Sequence, residues 1–202
     1  MRKVVFTLLA LVPLFLFSCD LNQTAVPLTG TLYGTVYDAL DGDSLAEILI
    51  FTSGNVYSTT TDNYGSYSLE MEAGEYYLYA TGTGYAADRD TVIIDRDSFA
   101  EHDIALYSEE NGAARVYGDI YCSAADTLIP DVDIVAEKLS GYIGTSDEQG
   151  RFEFYLAPGE ETVTFLHDEH QDASYDLVLD ISDTEFLRVW MDPLEADTTS
   201  GN

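Results

Sequence analysis

The chain has 202 residues, with 37 acidic side chains against 8 basic ones and a formal charge of −29. A nucleic-acid binder needs a basic stripe to displace counterions from phosphate. The six basic residues beyond Lys3 (Arg89, Arg96, Arg115, Lys138, Arg151 and Arg188) are scattered along the sequence, so that class is excluded. High acidity can also accompany disorder, but 15 tyrosines and abundant Val, Ile and Leu argue for a folded, acidic protein.

At the N-terminus, Arg2 and Lys3 precede an uncharged run from Val4 to Phe17, followed by Ser18 and Cys19. A charged head, 14 uncharged residues and a small residue before the cut describe a secretory signal over residues 1–18. The run is too short for a spanning helix, which takes about 20 apolar residues. "LFSC", Leu16–Cys19, resembles the lipobox of bacterial lipoproteins. That resemblance implies that Cys19 is diacylglycerylated on sulfur, becomes the new N-terminus and is acylated there too. One acyl chain anchors a protein weakly and two or more do so stably. The expectation is therefore a lipid-anchored protein of the bacterial cell envelope, at the outer membrane or surface rather than the inner membrane. Losing Arg2 and Lys3 takes the formal charge to about −31, which should repel an anionic membrane, so the lipid is the expected membrane contact. With Cys19 lipidated, Cys122 has no intramolecular partner, and stability must come from packing.

After a tether (19–30), internal repetition dominates. "YGTVYD" (Tyr33–Asp38) recurs as "YGDIYC" (Tyr117–Cys122), and "AEILI" (Ala46–Ile50) matches "PDVDI" (Pro130–Ile134), both at an offset of 84. At an offset of 85, "TDNYGSYSLEMEAGEYYLYA" (Thr61–Ala80) matches "SDEQGRFEFYLAPGEETVTF" (Ser146–Phe165). The same offset pairs "VIID" (Val92–Asp95) with "LVLD" (Leu177–Asp180), and "IAL" (Ile104–Leu106) with "VWM" (Val189–Met191). Within the blocks every second residue is apolar, as in Tyr67, Leu69, Met71 and in Phe152, Phe154, Leu156, the alternation of half-buried strands. Gly, Asp, Asn and Pro punctuate the chain every strand or so, and no segment carries a helical period. The expected fold is all-β: two tandem small antiparallel Greek-key sandwiches of roughly seven strands each. They span 31–107 and 115–194, with a short linker at 108–114 and a polar tail at 195–202.

The first repeat resembles the carboxypeptidase regulatory-like domain, a transthyretin-type (prealbumin-like) sandwich, through Gly34, Val36, Gly42, Thr61, Asp62, Gly65, Tyr67, Gly74, Tyr76, Gly84 and Tyr85. The second keeps Gly118, Ile120, Asp147, Gly150, Phe152 and Gly159. It departs where Glu161 replaces the Gly-x-Tyr tyrosine and "HDEH" (His167–His170) replaces the later Gly-Tyr. The resemblance specifies the fold and says little about activity, because such domains ride on many different proteins.

Asp62 and Asp147, each three residues before a glycine, suit a hairpin turn in which the carboxylate accepts from the amide two residues on. Ala73-Gly74 and Pro158-Gly159 suit type II turns. "DALDGD" (Asp38–Asp43) places Asp41 and Asp43 as weak calcium candidates, although Asp41-Gly42 is equally a hairpin signal. His167 and His170 are a weak zinc candidate, in a segment equally readable as a solvated loop. There is no Gly-x-Ser-x-Gly elbow, phosphate loop or Cys-x-x-Cys, so no catalytic residue and no cofactor are assigned and an enzyme is not expected. With Val36 and Ile120 inward, Tyr33, Tyr37, Tyr117 and Tyr121 point outward, as do Tyr77 and Tyr79 if Tyr76 and Leu78 pack inward. These six tyrosines are the candidate surface for an unidentified protein or glycan partner, and Trp190 is expected in the core. The sequence thus describes a non-catalytic binding, adhesion or accessory module. The alternatives are a carbohydrate-binding module using the outward tyrosines, or a structural subunit of an envelope complex.

Overall fold

The computed structural model describes residues 28–194. The expected secretory signal, Cys19, most of the expected tether and the C-terminal tail lie outside the described residues.

The first eight strands are β1 (Thr29–Asp38), β2 (Leu49–Thr52), β3 (Ser58–Thr60), β4 (Ser66–Glu72), β5 (Gly74–Gly82), β6 (Tyr85–Ile94), β7 (Phe99–Glu101) and β8 (Ile104–Leu106). The next eight are β9 (Ala114–Cys122), β10 (Thr127–Leu128), β11 (Asp133–Ala136), β12 (Gly141–Thr145), β13 (Arg151–Leu156), β14 (Gly159–Leu166), β15 (Ala173–Leu179) and β16 (Thr184–Met191). In the first unit, β1 pairs with β4, β7 and β8, and the facing sheet runs β3-β2-β5-β6. In the second, β9 pairs with β13, β10 and β16, opposite β12-β11-β14-β15. The two units share one topology, with β7 and β8 together in the place of β16. Even β10 has a counterpart, the isolated Tyr37–Ser44 bridge, which matches Tyr121–Leu128.

Alternation puts one side of each sheet into a core, and there are two cores. Leu32, Val36, Ile50, Met71, Leu78 and Ile94 lead the first. Val116, Ile120, Ile134, Phe154, Phe165 and Met191 lead the second. Completely burying one such side chain contributes about 1.5–3 kcal/mol, so each unit has its own source of stability.

Each sandwich is antiparallel except at its closing strand. β7 and β8 run parallel to β1, and β16 runs parallel to β9. A short crossover from the opposite sheet, residues 95–98 in the first unit and 180–183 in the second, delivers the chain in the same direction as the first strand. Glycine permits the close approach: a Cβ on Gly34 would collide with the carbonyl of His102, and one on Gly118 with that of Leu187.

The acidic turns are structural. The Asp62 carboxylate accepts from the amides of Tyr64 (2.8 Å) and Ser66 (2.9 Å). Asp147 accepts from those of Gln149 (2.9 Å) and Arg151 (2.9 Å). Gly65 (φ 73°) and Gly150 (φ 67°) close these turns in the left-handed region. The preceding hydroxyls reach across each sandwich. Thr61 donates to the Leu45 carbonyl (2.7 Å) and accepts from the Ile48 amide (2.9 Å). Ser146 donates to the Ile129 carbonyl (3.2 Å) and accepts from the Val132 amide (3.0 Å). At the other pair of turns, Gly159 has φ 129° and Gly74 no positive φ, so Ala73-Gly74 does not make the expected type II turn. Gly74 instead opens β5 directly.

The units differ where β7 and β8 are separated by His102 and Asp103. The carbonyl left off the ladder at His102 accepts from the Tyr67 hydroxyl at 2.6 Å. Asp103 accepts from the amide (2.7 Å) and hydroxyl (2.8 Å) of Thr35. The second unit has Phe152 in place of Tyr67, and β16 continues without interruption.

The segment expected as a linker is hydrogen-bonded to both units. Ser108 bridges to Tyr85, and the Glu109 amide donates to the Gly84 carbonyl (2.9 Å). On the far side the Ser182 amide donates to the Gly112 carbonyl (3.1 Å), and its hydroxyl to the Asn111 carbonyl (2.6 Å). Arg89 reaches the Ser140 hydroxyl at 2.8 Å. The two sandwiches are docked.

Candidate binding face

The six tyrosines do not form one surface. Tyr33 and Tyr37 face out from β1, and Tyr77 and Tyr79 face out from β5 in the opposite sheet of the same unit. Tyr77 is exposed, with the Arg89 guanidinium 4.6 Å over its ring. Tyr79 stacks on Phe51 (5.1 Å between centroids, planes 13° apart) and is only 9% exposed. It is therefore not an exposed contact surface. It lines a cleft of about 800 Å3 between the units, opposite Leu139, Ile143 and Tyr155.

The outer face of the β13-β9-β16 sheet is different. Val116, Gly118 and Ile120 of β9 and Leu187, Val189 and Met191 of β16 are buried, so the residues between them face solvent. The parallel register sets Tyr117 beside Phe186 and Tyr121 beside Trp190. The first pair meets edge to face with centroids 5.3 Å apart, and the second is tilted at 5.0 Å. Trp190 is 43% exposed and Phe186 46%. Trp190 is therefore not a core residue. It shares the parity of Arg188, between the buried Val189 and Met191, and the strand alternation forces it outward.

Between the two ring pairs runs a polar row, with Asp119 opposite Arg151 on one side and Arg188 on the other. The Arg115 guanidinium lies 4.5 Å over Tyr117, and that of Arg188 5.5 Å from the Tyr121 ring centroid. Arg115 also holds Glu153 through two contacts of 2.8 Å, which keeps that carboxyl below its ordinary range. A depression of about 530 Å3 is lined by Tyr117, Asp119, Asp147, Arg151, Glu153 and Phe186. Three of the six basic residues beyond Lys3 thus converge here. Dispersed in sequence, they are grouped by the sheet, because β9, β13 and β16 are neighbours in space only.

The first unit serves as an internal comparison. The same lattice positions there carry Thr31, Thr35, Ser66, Ser68, Asp103 and Ala105 where the second unit has Arg115, Asp119, Arg151, Glu153, Arg188 and Trp190. Tyr33 has Glu101 beside it where Tyr117 has Phe186. The first sandwich keeps the two tyrosine positions as Tyr33 and Tyr37 but folds without the partner rings and the guanidinium groups, so the topology does not require those.

The metal candidates Asp41, Asp43, His167 and His170 lie in hydrogen-bonded local segments. The Asp38 carboxylate accepts from the Leu40 (2.8 Å) and Asp41 (3.1 Å) amides, and Gly42 has φ 73°, which makes "DALDGD" a closed turn. Nδ1 of His167 and Nδ1 of His170 are 3.1 Å apart, and His167 Nδ1 also accepts from the Glu169 amide. Burial, followed by the proximity of His167, lowers the pKa of His170. His102 lies in the first unit and contacts Asp90 (3.2 Å). Among the described residues no three His, Cys, Asp or Glu side chains are placed to hold a metal ion. Cys122 is a half-buried free thiol against the second core.

By its fold and surface this is a tandem β-sandwich protein with an aromatic face on its second sandwich. Residues 31–107, the first sandwich, match the model of the carboxypeptidase regulatory-like domain. Comparison with curated proteins gives no match. Among solved structures, the TIE protein of Bacillus anthracis is 18% identical with a TM-score of 0.36, over 82% of this chain and 34% of that one. A Streptococcal ancillary pilin is 14% identical with a TM-score of 0.36, over 84% and 63%. The minor pilin GBS52 of Streptococcus agalactiae is 11% identical with a TM-score of 0.37, over 86% and 100%. The chain thus spans about a third of the first of these structures and under two thirds of the second.

Proposed function

We propose that the protein is a non-catalytic binding module of the bacterial cell envelope. It is held by lipid on Cys19 and engages its partner through the outer face of β13-β9-β16. The observation that carries this reading is the solvent-facing ladder of Tyr117, Phe186, Tyr121 and Trp190, of which the sister unit has only the two tyrosine positions, with Glu101 and Ala105 in place of Phe186 and Trp190. Exposed aromatic rings contribute much of the binding energy at protein surfaces. The clamped linker supports the role by fixing the direction in which that face points relative to the first sandwich. Nucleic acid is a poor partner for a chain of this charge.

The test uses the full chain as Cys19→Ser, which takes no lipid, in sedimentation with envelope fragments of the cells that make it. The expected result is co-sedimentation that Trp190→Ala with Phe186→Ala reduces at least about tenfold, with the thermal midpoint showing that the fold is kept. Unchanged co-sedimentation of the double variant would overturn the assignment of the face. Cys19→Ser combined with Trp190→Ala and Phe186→Ala remaining in the membrane fraction on cell fractionation would overturn the lipid anchor.

A further inference from the structure

We infer that the occupant of the β13-β9-β16 face is a neutral polysaccharide lying along β9 and β16. This rests on that face being the binding surface, and it names the partner's chemistry. Three features of the face select that chemistry.

The first is the alternation of rows. Tyr117 with Phe186 forms one ring pair, Asp119 with Arg151 and Arg188 forms a polar row, and Tyr121 with Trp190 forms a second ring pair. Four residues of extended strand separate the two ring pairs, about 13 Å. That is the separation of sugar rings two or three apart along a glycan. The C–H face of a pyranose stacks on an aromatic ring, while its equatorial hydroxyls need carboxylate and guanidinium partners at the edge. Rings flanking a polar row meet both needs at once. A protein hot spot places its aromatic anchors at a desolvated centre with a polar rim, whereas here the charged groups occupy the centre.

The second is charge. Arg115, Arg151 and Arg188 balance Asp119, Glu153 and Asp147 on and beside this face, within a chain of −29. A polyanionic glycan would meet no net attraction here and repulsion from the rest of the surface. A polycation would find stronger partners elsewhere on the molecule. A neutral face on an acidic protein fits a neutral partner.

The third is unused hydrogen-bonding capacity. Arg115 and Arg151 are held in ion pairs that fix their guanidinium planes. Asp119 and Arg188 make no side-chain hydrogen bond among the described residues, and both project from the row between the rings. A carboxylate and a guanidinium side by side can accept from one hydroxyl and donate to its neighbour, the pattern a vicinal diol presents.

Trp190 is the single tryptophan of the chain and lies in the proposed site, so its fluorescence reports occupancy directly. The experiment compares Cys19→Ser on three probes: untreated envelope fragments, fragments oxidised with periodate to cleave vicinal diols, and fragments digested with proteinase K. Periodate is expected to reduce co-sedimentation at least about tenfold and proteinase K less than about twofold. Binding should weaken less than about twofold between low salt and about 0.5 M salt. Polysaccharide released from the fragments should shift the Trp190 emission to the blue, and Asp119→Ala should reduce both signals. Loss of binding with proteinase K but not periodate would overturn the glycan while leaving the face as the site, and so would steep loss with salt. Binding unaffected by Trp190→Ala with Phe186→Ala would overturn the face itself.

Discussion

Trp190 and Tyr121 lie on adjacent parallel strands with ring centroids 5.0 Å apart, both turned away from the core of the second sandwich. Their counterparts in the first sandwich are Ala105 and Tyr37 in the same register, so the pairing is an addition to a shared scaffold. The consequence is measurable. Trp190→Ala should cost only about 1 kcal/mol, the worth of an exposed aromatic pair. A core truncation such as Phe165→Ala should cost about 3–5 kcal/mol. Urea denaturation of both variants checks the contrast, and equal losses would place Trp190 in a structural role.

Gly118 is required by proximity. A Cβ there would run into the Leu187 carbonyl, so Gly118→Ala must push β16 off β9 and should cost about 3 kcal/mol or more. Gly144 in β12 has open space around its Cβ position and no positive φ, and Gly144→Ala should change stability by less than about 1 kcal/mol. Thermal melts of the two variants separate a close-approach glycine from a permissive one.

Thr61 satisfies two buried backbone groups with one hydroxyl. Thr61→Val keeps the shape and leaves the Ile48 amide and the Leu45 carbonyl without partners, at about 1–3 kcal/mol for each group. Thr61→Ser should recover most of that loss. If the valine variant were as stable as the parent, the hydroxyl would not be what joins residue 61 to the segment before β2.

Asp147 carries a pH dependence. Its carboxyl lies below the ordinary 3.8, chiefly because it accepts from the Arg151 amide and further from the Gln149 amide and the Arg151 guanidinium. A depressed folded-state value means that the stabilisation is complete above the unfolded value and is lost as pH falls through the folded one. Asp147→Asn keeps an acceptor oxygen but cannot titrate. Between pH 5 and about pH 2 the parent should therefore lose more stability than the variant. Comparing the two cancels the relief of repulsion among the remaining carboxylates. Parallel curves would show that the turn does not depend on the charge.

The segment Ser108–Ala113 is tied to Gly84 on one side and Ser182 on the other. Glu109-Glu110 should therefore resist a glutamate-specific protease under native conditions. An insertion of four Gly-Ser residues after Asn111 should make it cleavable and broaden the distance between spin labels on the two units. Rapid cleavage of the parent would show that the clamp does not hold in solution.

Much of the architecture was written in the sequence, because strand alternation and turn chemistry are local. The repeat of Asp-x-x-Gly with alternating apolar residues gave both cores, both Asx turns and the inward parity of Val36 and Ile120 without reference to anything distant. Gly34 and Gly118 were visible as matched positions, but their cause, a carbonyl arriving from a strand some 70 residues later, was not. The docking of the units through residues 108–113 depends likewise on partners at Gly84 and Ser182, which no local pattern reveals.

What the chain by itself determined is therefore the pair of sandwiches and which side of each strand faces in. What only tertiary structure decided is which outward residues become neighbours. Arg115, Arg151 and Arg188 are dispersed in sequence and share one face because β9, β13 and β16 are adjacent. Trp190 read as core because it stands in an apolar strand, and its exposure followed from the parity of Val189 and Met191. Tyr79 read as outward, which it is with respect to its own sandwich, but the second sandwich lies across the cleft from it. Side-chain direction is set within a few residues by backbone geometry. Company on a surface is set by the pairing of strands far apart in the chain.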